Sequence, residues 1–85
     1  MKNVVIAEYV RSPFTFARKG ELVKVRPDDL AAQTIKGLVA KSGVNVDDVE
    51  DLILGCAFPE GEQGLNVARL IGFIAGLPQS VAGVT

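Results

Sequence analysis

The chain has 85 residues, with 9 Lys or Arg against 10 Asp or Glu and no His. A formal charge of −1 gives no reason to expect nucleic acid or an anionic membrane as partner. Without His, and with a single Cys, neither an internal disulfide nor a zinc site is expected within this chain.

Val4, Val5 and Ile6, extended by Tyr9 and Val10, predict a strand over residues 3–10. The run is continuous rather than alternating, as for a strand covered on both faces. Ser12-Pro13 ends it. Residues 11–26 show no period and form a long loop with Phe14, Phe16, five basic residues and one acid. Such a charge run is a solvated surface or a steering field for an anion, and solvation is the commoner case.

Pro27-Asp28-Asp29 opens a helix over 27–42: Pro suits the first turn, and acids there favour the positive end of the helix dipole. Leu30, Thr34, Ile35, Leu38 and Val39 share a face, Lys41 suits the last turn, and Gly43 is the expected left-handed stop. Asn45 caps a short turn at Val46–Val49. A second apolar run predicts a strand over 51–57.

GCAFPEGEQGLNVAR follows, from Gly55 to Arg69, and Asn66 is placed to cap a second helix over 66–76. That helix carries one charge, Arg69, and is apolar or small nearly all round, a pattern expected of a helix buried on every side. A third strand is expected over 80–85. The order β-α-β-α-β implies parallel pairing and an α/β fold, a mixed sheet covered by helices. A helix that needs cover on all sides, and a strand with no helix after it, lead us to expect part of a larger domain.

Cys56 lies in an apolar run with Asp51 and Glu60 as its nearest charges in sequence, and no His is present to activate it. A reactive thiol wants a cation or a helix N-terminus, so Cys56 reads as a small packing residue. The Gly61-Glu62-Gln63-Gly64 loop carries Glu where a phosphate cradle would want Lys, and it matches no phosphate-binding motif. It reads as a plain strand-to-helix turn. Asn66 reads as a helix cap. Arg69 needs a partner, either Glu60, Glu62 or a group outside the chain. We found no catalytic, cofactor-binding or metal-ligating residue in residues 1–85, and keep Asn66 and Arg69 as interface or support residues.

The segments VRSPF, RPDDLAAQTIKGLV, VEDLILGCAFPEGEQGLNVARL and AGLPQSVAGVT together resemble the N-terminal region of thiolases, the acetyl-CoA acyltransferases. The resemblance runs over essentially the whole chain, and GCAFPEGEQG with SVAGVT is most similar to the bacterial fatty-acid-degradation type. It implies a core of two β-α-β-α-β-α-β-β halves, of which this chain supplies the first five elements of the first half. It implies a nucleophilic Cys at a helix N-terminus after a V-N-R-x-C-like stretch, a few residues past Thr85, and makes Cys56 an ordinary strand residue. The acid and base, a His and a second Cys, and the loops that hold coenzyme A would come later still. The same resemblance implies acyl-CoA as substrate, coenzyme A as co-substrate rather than a cofactor bound by this segment, and a homodimer or homotetramer, with the 85 residues inactive alone. A single Cys, a start unlike a signal peptide and no apolar run of membrane length lead us to expect a cytoplasmic setting. The alternatives are a non-catalytic small α/β interaction module and a thiolase-like condensing enzyme without degradative activity.

Overall fold

The structure, a computed structural model, describes residues 2–85. Two helices lie against a two-stranded parallel sheet, which makes the chain an α/β unit. Helix α1 spans Pro27–Ser42, strand β1 Asp51–Ile53, helix α2 Val67–Ile74 and strand β2 Ala82–Val84, with single 3-10 turns at Val46–Asp48 and Gly61–Gln63.

Local chemistry explains the ends of α1. Pro27 occupies the first turn with Asp28 and Asp29, and Arg26 at the cap position offers no side-chain bond. Asp28 takes over, accepting the Asp29 N–H on Oδ1 at 2.8 Å. At the other end Gly43 sits at φ 69° and returns its N–H to Val39 O, the left-handed stop that glycine reaches without a Cβ penalty. Asn45 caps the following turn through Oδ1 to the Asp47 N–H.

The strands pair in register Asp51–Ala82, Leu52–Gly83 and Ile53–Val84. The ladder continues through the Ala82 N–H to Glu50 O and the Leu54 N–H to Val84 O. Ala32, Val67, Ala68, Ile71, Leu77 and Val81 are the buried apolar residues. Ile35, Leu52 and Leu54 pack around this core, half-buried. Between α1 and α2, Ala32, buried to 1% exposure, clusters with Val67 and Ile71, while Ala68, at 0% exposure, is buried on the Gly83 side of α2. The larger residues of α1's apolar face instead border two open grooves. One, of about 410 Å³, lies among Leu30, Ile35, Leu52 and Leu54; the other, of about 320 Å³, among Leu38, Val39, Val44 and Leu77.

The elements differ from the sequence expectation in four places. Residues 3–10, expected as a strand, form none: Val4 and Ile6 stand 97% and 92% exposed. A strand needs a ladder partner, and this segment is held only near its end, by Lys41 to Glu8 at 3.2 Å and over the Tyr9 ring. The expected strand at 51–57 shortens to Asp51–Ile53 and the one at 80–85 to Ala82–Val84, because each pairs only where the other runs beside it. The helix expected over 66–76 runs Val67–Ile74. Continuous apolar strands suggested a sheet covered on both faces, yet Ile53 and Val84 alternate outward and only one face is covered by the helices.

Candidate functional site

The densest polar arrangement lies where α2 begins over the carboxyl end of β2. Leu65 and Asn66 both take left-handed backbone, φ 59° and 51°. That conformation turns the Asn66 side chain away from its own helix, so Asn66 makes no cap bond and the expected cap is corrected on this point. Its Nδ2 instead donates to Gly83 O at 3.0 Å, and its Oδ1 accepts from Thr85 Oγ1 at 2.7 Å. The helix is capped by Thr85, whose Oγ1 accepts the Ala68 N–H at 3.1 Å from 17 residues away. Helix starts commonly find such an acceptor in their own N-cap side chain; here the residue that follows β2 supplies it.

Arg69, one turn in, donates through Nη1 to Val81 O and through Nη2 to Gln79 O, the latter at 3.0 Å, and its guanidinium stacks 4.5 Å from the Phe73 ring. Its partners are thus backbone carbonyls, not the Glu60 or Glu62 that the sequence suggested. Glu62 is bound elsewhere, to Arg26 Nη1 at 3.1 Å. Backbones meet closely here as well: a Cβ placed on Gly83 would lie 2.7 Å from Arg69 N and 2.8 Å from its Cα. Only glycine fits under the first turn of α2.

The second polar cluster ties the loop before α1 to the turn before α2. Arg26 grips Asp28 with two bonds, Nε to Oδ1 and Nη2 to Oδ2, each 3.1 Å. The Arg26 bond holds the Asp28 carboxyl below the usual carboxylate range, and its backbone N–H partner Asp29 adds to this against the cost of burial. The Arg26 guanidinium is pushed up in return, by Asp28 first and Glu62 after it.

Cys56 is half-buried and its Sγ donates to Gln63 Oε1 at 3.2 Å. In the Gly61–Gly64 loop, the amides of Glu60, Gln63 and Gly64 donate to Phe58 O, Glu60 O and Gly61 O. Those N–H groups are engaged within the turn and do not converge on an anion. Among the described residues, no group of His, Cys, Asp and Glu is arranged to hold a metal ion, and no helix is long and apolar enough to cross a membrane.

The structure thus brings Asn66 and Arg69 together over β2 and sets Cys56 apart, beside the loop turn. Sequence reasoning missed Thr85 and Gly83. Neither carries a local signal, since their partners lie 14 to 19 residues earlier in the chain.

Comparison with known proteins gives a consistent picture. A family model described as "Thiolase, N-terminal domain" matches residues 4–85. The chain is 49% identical over 85 residues to a 3-ketoacyl-CoA thiolase of Bacillus subtilis (strain 168), which covers 100% of this chain and 22% of that protein. It is 45% identical over 84 residues to a 3-ketoacyl-CoA thiolase of Acinetobacter baumannii (strain AYE), covering 99% of this chain and 22% of that protein. A 3-ketoacyl-CoA thiolase of Aliivibrio fischeri is 42% identical over 86 residues, with 100% of this chain and 22% of that protein covered. The chain therefore spans about a fifth of the length of the curated relatives it matches.

Proposed function

Because the chain belongs to the thiolase family, whose N-terminal domain it matches over residues 4–85, we propose that the protein carrying it is an acyl-CoA acyltransferase. It moves an acyl group between a 3-ketoacyl-CoA and coenzyme A, by thiolytic cleavage or the reverse condensation, through an acyl-enzyme on a cysteine. The observation that carries this reading is the match of essentially the whole chain to proteins named 3-ketoacyl-CoA thiolase at 42–49% identity.

The chemistry requires a thiolate to attack the 3-keto carbonyl, donors for the oxyanion that forms, and a base for the incoming coenzyme A thiol. On this reading the nucleophile lies beyond Thr85, at a helix N-terminus that favours the thiolate. The present residues are scaffold, and the segment alone is inactive. Cys56, bonded through Sγ to Gln63, is a packing residue. Asn66 and Arg69 act as support rather than interface, since Asn66 directs its polar atoms to Gly83 in β2 and to Thr85 after it, and Arg69 directs its own to the segment leading into that strand. Val4, Ile6, Phe14 and Phe73 stand between half and fully exposed, which favours a place inside a larger body over a small independent module. A homodimer or homotetramer, a cytoplasmic location and a role in fatty acid metabolism complete the proposal.

The test is direct. The full-length protein, given acetoacetyl-CoA and coenzyme A, is expected to produce acetyl-CoA and to lose that activity on alkylation of one cysteine outside residues 1–85. Absence of coenzyme A-dependent cleavage, or inactivation that maps to Cys56, would sink the reading.

A further inference from the structure

The contact between α2 and the carboxyl end of β2 contains more than a helix cap requires. An ordinary N-cap residue has extended backbone and bonds its own helix. Here Leu65 and Asn66 both adopt left-handed backbone, which Asn tolerates and Leu does not favour. The outcome of that strained turn is a cross-link: Asn66 reaches Gly83 O and Thr85 Oγ1, and Thr85 returns to the Ala68 N–H. Arg69 holds the segment leading into β2, at Val81 O and Gln79 O. Strained turns persist where the surroundings hold them, and they gather at functional sites.

We propose that Thr85 and Asn66 are positioning residues for the nucleophile of the acyl transfer, fixing the height and direction of the backbone as it leaves β2. The proposal rests on the thiolase reading given above. Its physical basis is the rule that parallel α/β sheets place chemistry outside the carboxyl ends of their strands. Thr85 directly follows β2 at that end, and its hydroxyl ties the strand's exit to the start of α2 as acceptor from the Ala68 N–H and as donor to Asn66 Oδ1. The Asn66–Thr85 bond lies at the surface of this chain, where water competes with it. Its consequence is therefore orientation more than overall stability.

The experiment uses the full-length protein and four forms: parent, Thr85→Val, Thr85→Ser and Asn66→Ala. Stoichiometric alkylation by iodoacetamide counts competent thiols, so turnover is expressed per intact site and misfolded material drops out. Thiolysis of acetoacetyl-CoA should show kcat per site reduced roughly tenfold to a hundredfold in Thr85→Val and in Asn66→Ala, with KM little changed, as expected for misplacement by about 1 Å. Thr85→Ser, which keeps the hydroxyl, should restore most of the loss. The pH profile of alkylation should move in Thr85→Val and return in Thr85→Ser, a change that a purely structural role would not produce. An active parent whose Thr85→Val and Asn66→Ala forms keep kcat per site within about twofold overturns the positioning role and leaves the thiolase reading standing. A parent with neither thiolysis nor an alkylatable thiol overturns both.

Discussion

Replacing Gly83 by Ala should loosen the junction between α2 and the sheet, because the new Cβ meets backbone rather than a side chain that can rotate. It would lie 2.7 Å from Arg69 N, 2.8 Å from Arg69 Cα and 3.1 Å from the Ala68 carbonyl carbon. Ordinary contact begins near 3.5 Å, so α2 must lift off β2 by roughly 0.8 Å. That shift carries the 3.0 Å bond from Asn66 to Gly83 O out of hydrogen-bonding range. Overpacking of this kind costs about 1–3 kcal/mol, and the exposed hydrogen bond about 0.5–1.5 kcal/mol more. The reduced freedom of the unfolded chain offsets about 0.4–1 kcal/mol. The net expectation is a local destabilisation of about 2 kcal/mol, which is roughly a thirtyfold change in an opening equilibrium. Amide hydrogen exchange in the full-length protein reads it where it occurs, at the Leu54 and Ala82 N–H groups that tie β1 to β2. Gly37→Ala supplies the control. No atom lies within 4 Å of its would-be Cβ, and it sits in the middle of α1. There Ala should stabilise by about 0.5–1 kcal/mol. Exchange at Leu54 and Ala82 within about threefold of the parent in Gly83→Ala, or equal harm from both substitutions, would refute the close-approach argument.

Other expectations concern the remaining features. Asp28 is held by Arg26 with its carboxyl lowered, so the ion pair stabilises the fold above the ordinary carboxylate range and its contribution is lost as pH falls through the lowered value. Denaturation of Asp28→Asn beside the parent should therefore show a gap at neutral pH that closes below about pH 4; a gap that persists into acid would contradict the assignment. Gly43→Ala forces a Cβ onto a residue at φ 69° and should lower stability by about 1 kcal/mol, with Gly43→Asn losing less; equal midpoints for parent and Gly43→Ala would count against the left-handed stop. Cys56→Ala should leave thiolysis by the full-length protein essentially unchanged, since its Sγ only donates to Gln63; abolished turnover in a folded Cys56→Ala protein would reopen that residue as the nucleophile.

Much of this protein is written locally. Pro27 with two acids, a periodic apolar face and Gly43 define α1 from its own residues, because helix hydrogen bonds and caps close within a few positions. Asn45 capping its turn is of the same kind. The motif series from VRSPF to SVAGVT carried the family resemblance, and the match over residues 4–85 agrees with it.

What the sequence could not decide are the contacts made at a distance. Val4–Val10 has the composition of a strand, but a strand exists only where another backbone pairs with it, and among the described residues none pairs with that segment. Asn66 looked like a cap from its neighbours; its left-handed backbone sent the side chain to β2 and left the capping to Thr85. Arg69 looked short of an acid, and the fold offered it carbonyls while Arg26 took Glu62. The placements of Asn66, Thr85 and Arg69 depend on which surfaces the packing of α2 across β2 brings to about 3 Å. That packing, allowed by a glycine at position 83, is a property of the tertiary structure alone.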